Sequence, residues 1–351
     1  MNQPLTPTEL LGLIADGLDD TVFDRASGAP VVLVDLSGDH PSEDLRRVTR
    51  RLSSAPVVVI GVAPEAAVDI DASSFDLLVC SDDAAPAPWV SCGDSLDMVV
   101  GDLVASIASS PDASVALAQL LRAAESATPA DAVVAESWVY SLLQTGPVHR
   151  RWLESNDSRT RRPRPEHAVL VERRGEILAV TLDRPEVHNA YGAKMRDELV
   201  DALRMVSVDD SIARVVLRGN GVSFCSGGDL DEFGTSPSAV EAHDIRIRRN
   251  AGIALAAVAD RVEARVHGTC VGAGVELPAF ARVVVADPDT TFQLPEISMG
   301  LVPGAGGTSS IPRRTGRHRA AFLALSGRPI DAATARDWGL IDRIEPGGGD
   351  V

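Results

Sequence analysis

The chain has 351 residues and a formal net charge of −17, with 45% hydrophobic and 24% charged residues. This composition excludes a disordered or collagen-like chain and leaves room for about two domains. The charge is uneven: residues 1–155 carry 23 acidic and 8 basic side chains and the remainder 27 and 25, leaving −15 and −2, so the chain as a whole has no electrostatic attraction to nucleic acid or an anionic membrane.

The N-terminus MNQPLTPTELLGLIADGLDD lacks the basic n-region of a secretory signal, and no apolar run approaches the roughly 18 residues of a membrane span, so a cytoplasmic protein with no membrane partner is expected. Two apolar, β-branched runs at 30–36 and 56–63 are bounded by Pro and Gly. They flank a helix predicted over 42–53, with Leu45, Val48 and Leu52 on one face, and together they read as a βαβ unit. The run FDLLVCSD at 75–82 extends the same sheet. From Leu96 to about Ala124 the pattern is helical, and Pro129 opens another helix carrying Ala132, Val133, Trp138, Leu142 and Leu143. Residues 1–155 therefore read as an α/β domain, and no catalytic motif is visible in it. Residues 156–167, rich in arginine and proline with no aromatic, read as a solvated linker rather than a nucleic-acid patch.

Residues 168–351 read as a second domain. Strands are expected at 177–183, 213–219, 263–268 and 282–288, with a helix from about Ala190 to Val206 whose Met195, Leu199, Leu203 and Val206 form one buried stripe. Lys194, the chain's only lysine, sits one step off that stripe and reads as a surface residue; no Gly-Lys-Ser/Thr occurs, which excludes a Walker A loop. Cys80, Cys92, Cys225 and Cys270 form no CxxC pair and no Cys/His spacing suited to zinc, so free thiols and no metal are expected. Alternation of strands and helices argues for a largely parallel, buried sheet.

Three glycine-rich turns carry the chemistry. They are Gly219 to Asp229, Gly272-Ala273-Gly274 and Pro303 to Gly307. The second lacks the third glycine of a dinucleotide fingerprint, because Leu277 stands there. There is no GxSxG motif. Two of the turns neighbour carboxylates in apolar settings, Glu276 in GAGVELPAF and Glu296 in FQLPEISMG. Desolvation raises the pKa of such a carboxyl and lets it move protons near neutrality; a helix cap is the plainer reading of Glu276 taken alone. Backbone N–H groups at glycine turns can hold an oxyanion.

At LDRPEVHNAYGAKMRDEL (182–199), FCSGGDLDEF (224–233), VHGTCVGAGVEL (266–277), FQLPEISMGLVPGAGGT (292–308) and ALSGRPIDAATARDWGLID (324–342) the chain resembles the crotonase, or enoyl-CoA hydratase/isomerase, family. The resemblance covers about 168–345 and implies a spiral of ββα units. It also implies an acyl-CoA thioester substrate with no further cofactor, and a homo-oligomer, either a trimer or a hexameric dimer of trimers. By the same resemblance, Gly228 and Ala273 supply the oxyanion-binding N–H groups and Glu276 and Glu296 are the catalytic pair. Val187, His188, Ala190, Asp229 and Leu230 border the CoA. Both glutamates being present favours hydration of a 2,3 double bond. Isomerisation, thioester hydrolysis, dehydration and a non-catalytic acyl-CoA-binding role remain alternatives.

Two positions depart from the family's pattern: Arg282 stands where an Asp is usual, and Asp231 where many members have Lys. The sequence also stops soon after GLIDRIEP, ahead of the family's C-terminal helices, whereas residues 110–153 look like that helical segment. The expectation is a fused pair in which a degenerate first half lends helices to the second; an unrelated α/β domain is the alternative.

Overall fold

A computed structural model describes residues 3–15, 30–38, 42–52, 55–67, 70–156, 166–236 and 238–347. Most of the expected linker, 157–165, lies outside the described residues. Among the described residues no helix is long and apolar enough to cross a membrane.

The first sheet has four parallel strands in the order β1 (Val31–Asp35), β2 (Val58–Ala63), β3 (Leu77–Cys80) and β4 (Val90–Ser91). Side chains alternate between its faces, as the two-residue period of a strand requires. Val32, Val34, Val59, Leu78 and Cys80 pack with Leu10 of α1 (Pro7–Ala15) and with Val48 and Leu52 of α2 (Ser42–Leu52). Val31, Leu33, Val58, Ile60, Leu77 and Val79 face the other way, into a core that continues without a break into the second half of the chain.

Three helices build that continuity, α3 (Leu96–Ser109), α4 (Pro111–Ala124) and α5 (Pro129–Leu143), and α6 (Pro147–Ser155) follows them. The helical run expected from Leu96 to Ala124 is broken at Pro111, which has no N–H and disfavours helical backbone in the residue before it; Ser110 takes φ −138°, ψ 61°. In α5 the predicted apolar residues Trp138 and Leu142 are 55% and 69% exposed. Glu136, Ser137 and Ser141 are buried instead, because this helix turns a polar face toward the second half.

That half holds a six-stranded sheet in the order β13 (Arg343–Ile344), β10 (Val283–Ala286), β8 (Val262–Val266), β7 (Arg214–Gly219), β6 (Ile177–Leu182) and β5 (Val169–Arg174). All neighbours are parallel except the β5–β6 hairpin. Strand β5 was not expected, being an edge strand with only Val169 buried and so without an alternation to detect. A small sheet joins β9 (Thr269–Val271) in parallel to β11 (Thr291–Gln293), which pairs antiparallel with β12 (Ile330–Asp331). Between β6 and β7 runs α7 (Ala193–Val208), with Met195, Leu199, Leu203 and Val206 buried as the stripe predicts. Helices α8 (Ala239–Arg248) and α9 (Ala251–Ala257) follow, then the short α10 (Ala273–Glu276), α11 (Gly307–Thr315), α12 (Arg317–Ser326) and α13 (Ala332–Asp337).

Arginine at the start of α12 ties the halves together. Arg317, 3% exposed, donates to the carbonyls of Phe75 (2.6 Å) and Ser73 (2.5 Å). Asp76, 3.7 Å from it, also receives Arg122 of α4. A buried cation holding this many acceptors satisfies groups that would otherwise lose water without compensation.

Candidate active site

The three glycine turns meet at one cavity. After β7 the chain runs through Phe224 and Cys225, both buried, to Gly227, whose φ of +91° favours glycine and where a Cβ would lie 3.1 Å from the Val271 carbonyl oxygen. A parallel bridge between Cys225 and Cys270 lays this turn along β9. At the end of β9, Gly272 turns at φ +50° and a Cβ there would lie 3.6 Å from the Gly227 Cα. The residues that follow these touching glycines are Gly228 and Ala273. Both line the cavity, and among the described residues neither N–H has an intramolecular acceptor. Two backbone donors therefore stand free at one wall.

Glu276 closes α10 and is 2% exposed. Its Oε2 accepts from the N–H groups of Ala305 (2.7 Å) and Gly307 (2.8 Å). Burial pushes this carboxyl up to about 7, while the amides of residues 305, 307 and 304 pull the other way. Glu296 begins the turn after β11; a Cβ on Gly272 would collide with its Oε1, and its buried Oε2 has no hydrogen-bond partner. Burial first, and the charge of Glu276 second, raise its pKa well above the ordinary carboxylate range.

A third carboxylate comes from the first half. Glu136 of α5 is 1% exposed; its Oε1 accepts from Gly306 N (2.8 Å), and its Oε2 from Thr308 N (2.9 Å) and Thr308 Oγ1 (2.8 Å). Burial, then the neighbouring Glu276, push it up to about 8. The run Gly304-Ala305-Gly306-Gly307 has to be this bare. A Cβ at Gly304 would strike the Tyr140 ring, and one at Gly307 would sit 2.6 Å from Glu276 Cγ. The same segment opens α11, so the positive end of the helix also faces the carboxylates.

The cavity, of about 720 Å³, brings together Gly228, Ala273, Asp229, Leu230, Glu276 and Glu296 of the residues expected from sequence. Val187, His188 and Ala190 stand outside its lining, in a turn where His188 and Asn189 take positive φ of 54° and 55°. Asn189 holds that turn: fully buried, it donates to the carbonyls of Asn220, Ser223 and Phe224 and accepts from Arg184 N. Asp229 is buried and ion-paired with Arg184 at 2.7 Å. Arg282 is exposed, away from the lining, whereas Asp231 belongs to the lining.

Sequence reasoning missed Glu136, Tyr140, Gln144 and Arg246. Tyr140, Gln144 and Arg246 line the cavity; Glu136 sits behind it on the shared turn. The one available signal was a glutamate with two serines inside the otherwise apolar run AVVAESWVYSLL, which reads as an amphipathic helix when no partner is known.

Over its second half the chain is similar to known proteins. The family model described as enoyl-CoA hydratase/isomerase matches residues 172–349. The chain is 36% identical over 178 residues to the 2,3-dehydroadipyl-CoA hydratase of Escherichia coli strain K12, covering 51% of this chain and 69% of that protein. It is 33% identical over 177 residues to the 1,2-epoxyphenylacetyl-CoA isomerase of the same organism, covering 48% and 66%. Among solved structures, an enoyl-CoA hydratase of Mycobacterium smegmatis aligns with 30% identity and a TM-score of 0.48, covering 52% of this chain and 71% of that one.

Proposed function

The chain belongs to the enoyl-CoA hydratase/isomerase family, and from that premise we propose that it hydrates a 2-enoyl-CoA thioester, adding water across the 2,3 double bond. The observation that carries this reading is the meeting of two carboxylates, the buried Glu276 and the half-buried Glu296 with its buried Oε2, with the two unpaired N–H groups of Gly228 and Ala273 at one cavity wall.

The roles follow from the surroundings of each group. The N–H groups of Gly228 and Ala273 receive the thioester oxygen and bind it more tightly as it gains charge. Glu276 holds two amides on one oxygen, which favours its ionised form over that of Glu296, whose Oε2 has none. Glu276 is therefore the base: it takes a proton from water as the water oxygen bonds to Cβ, and the π electrons move to Cα and the held oxygen as an enolate. Glu296 is the acid: it gives its proton to Cα as the enolate collapses. The net change is one water added, and the proton left on Glu276 restores Glu296 by way of solvent. CoA lies along Asp229 and Leu230 and the turn of Val187, His188 and Ala190, which is tied to the cavity wall by the bond from Ser226 N to the His188 carbonyl (2.9 Å).

Retention of both carboxylates favours hydration over a double-bond shift, for which one acid/base suffices. The test is a mass-spectrometric screen of enoyl-CoA thioesters for gain of one water, with Glu276→Gln and Glu296→Gln each expected to lose about 10²- to 10⁴-fold in kcat. Undiminished turnover in the double variant would refute the assignment.

A further inference from the structure

Five cationic side chains line the cavity: Arg184, Lys194, Arg196, Arg246 and Arg249. Four have carboxylate partners within the protein. Arg184 pairs with Asp229, Lys194 with Glu198, Arg196 with Asp197, and Arg249 with Asp197 and Asp201. Arg246 has none among the described residues. Its Nη1 donates to the carbonyl and Oγ of Ser137 (3.2 and 3.1 Å) and to Ser141 Oγ (2.9 Å), its Nη2 donates to Gln144 Oε1 (3.0 Å), and its guanidinium lies 4.5 Å from the centre of the Tyr140 ring. Every one of these contacts is neutral. They fix the guanidinium in place with no carboxylate in contact, and Glu136 acts on it only through space. The nearby Glu136 spends both oxygens on Gly306 and Thr308.

The position of Arg246 is as informative as its charge. The face of α8 that borders the cavity carries Ala242, Ile245 and Arg246, at the spacing of one helical face, so the cation stands beside two apolar side chains. It is separated from the turn that holds Glu276 by the ring of Tyr140, which packs on Gly304. A half-buried, rigidly held cation with no carboxylate in contact, at a cavity wall near the reacting groups, is placed to take an anion from a ligand. We propose that Arg246 binds a carboxylate at the far end of the acyl chain, so that the substrate is a dicarboxylic acid carried as its mono-CoA thioester. This rests on reading the cavity as an acyl-CoA site and specifies its acyl group.

The experiment is calorimetric titration with saturated thioesters, which bind without reacting: the dicarboxylic mono-CoA thioesters of six and eight carbons, the matching monocarboxylic thioesters, and CoA alone. At least one dicarboxylic thioester is expected to bind about tenfold or more tightly than its monocarboxylic match, the scale of one charge-assisted contact. Arg246→Gln, which keeps donors for α5 but not the charge, is expected to bring that ratio close to one, and Arg246→Lys to keep part of it. Equal affinities in the unaltered protein overturn the proposal without any variant. So does an Arg246→Gln variant that weakens CoA alone and both thioesters by one factor, since the arginine would then be serving a CoA phosphate. Selective binding with no hydration of the unsaturated counterparts would leave the inference standing and sink the hydratase reading; hydration with no carboxylate preference would do the reverse.

Discussion

Glu136 and Glu276 share one turn by taking alternate backbone amides: residues 305 and 307 donate to Glu276, and residues 306 and 308 to Glu136. One carboxylate comes from the first half of the chain and the other from the second, so neither can shift without disturbing the amides that hold its neighbour. Glu136 thereby acts as a positioning residue for Glu276.

Replacing Glu136 tests that role. Glu136→Gln puts an NH2 where an acceptor is needed and leaves one buried amide short of a partner, which is expected to cost about 1–3 kcal/mol in urea unfolding. It should also lower kcat more than it raises KM, because the amides that hold Glu276 belong to the turn that Glu136 braces. A variant of unaltered stability and unaltered kcat would show that the shared turn does not hold the site.

The pH profile of the unaltered enzyme follows from the same carboxyls. With Glu276 raised to about 7 and required as base, kcat/KM should fall as pH drops below that value. With Glu296 raised well above the usual range and required as acid, activity should fall on the alkaline side once its proton is lost. A bell shape is expected, and a plateau reaching down to the ordinary carboxylate range would exclude Glu276 as base.

Stability should respond in the opposite sense from that of a salt-bridged protein. Glu136 has a folded pKa of about 8, raised above the unfolded value, so its contribution is complete below about pH 4.5 and is lost as pH rises toward 8. Each such group titrating in that window adds a slope of up to about 1.4 kcal/mol per pH unit. Urea midpoints measured from pH 5 to pH 9 should show the fall, and Glu136→Gln should flatten it.

Gly272→Ala is a separate probe of the wall. A Cβ at φ +50° is strained and would press on the Glu296 carboxylate, so a stability loss of about 1–3 kcal/mol is expected with a much larger loss in kcat. Activity close to that of the unaltered protein would mean that Glu296 does not need its present place.

Removing residues 1–155 deletes Glu136, Tyr140 and Gln144 and uncovers apolar surface of the common core. The remainder is expected to be insoluble or inactive, as judged by sedimentation and thioester turnover. A soluble, fully active remainder would show that the first half only accompanies the enzyme.

The legibility of these features in the sequence was uneven, for physical reasons. The strands β1, β2 and β3 and the helix α2 were plain because β-branched runs and a helical stripe are local patterns. The cavity residues Gly228, Ala273, Glu276 and Glu296 were named because each sits in a short, contiguous motif that resembles the family's. Glu136 and Arg246 were not, since their meaning depends on groups more than a hundred residues away: the bond from Gly306 to Glu136 spans 170 positions and that from Arg246 to Ser137 spans 109. Strand β5 was missed for the opposite reason, having too little burial to leave a pattern at all.

The 170-residue span has a further consequence for how the molecule comes into being. On a ribosome the helix bearing Glu136 emerges long before the turn that receives it, so the carboxylate must wait, hydrated and unpaired, until residue 308 has been made. Contacts this distant along the chain are slow to close, because the entropy of a long loop is lost before the contact repays it. The wall of the cavity is therefore synthesised early and completed late, and the first half must persist as a partly finished surface until residue 308 has been made.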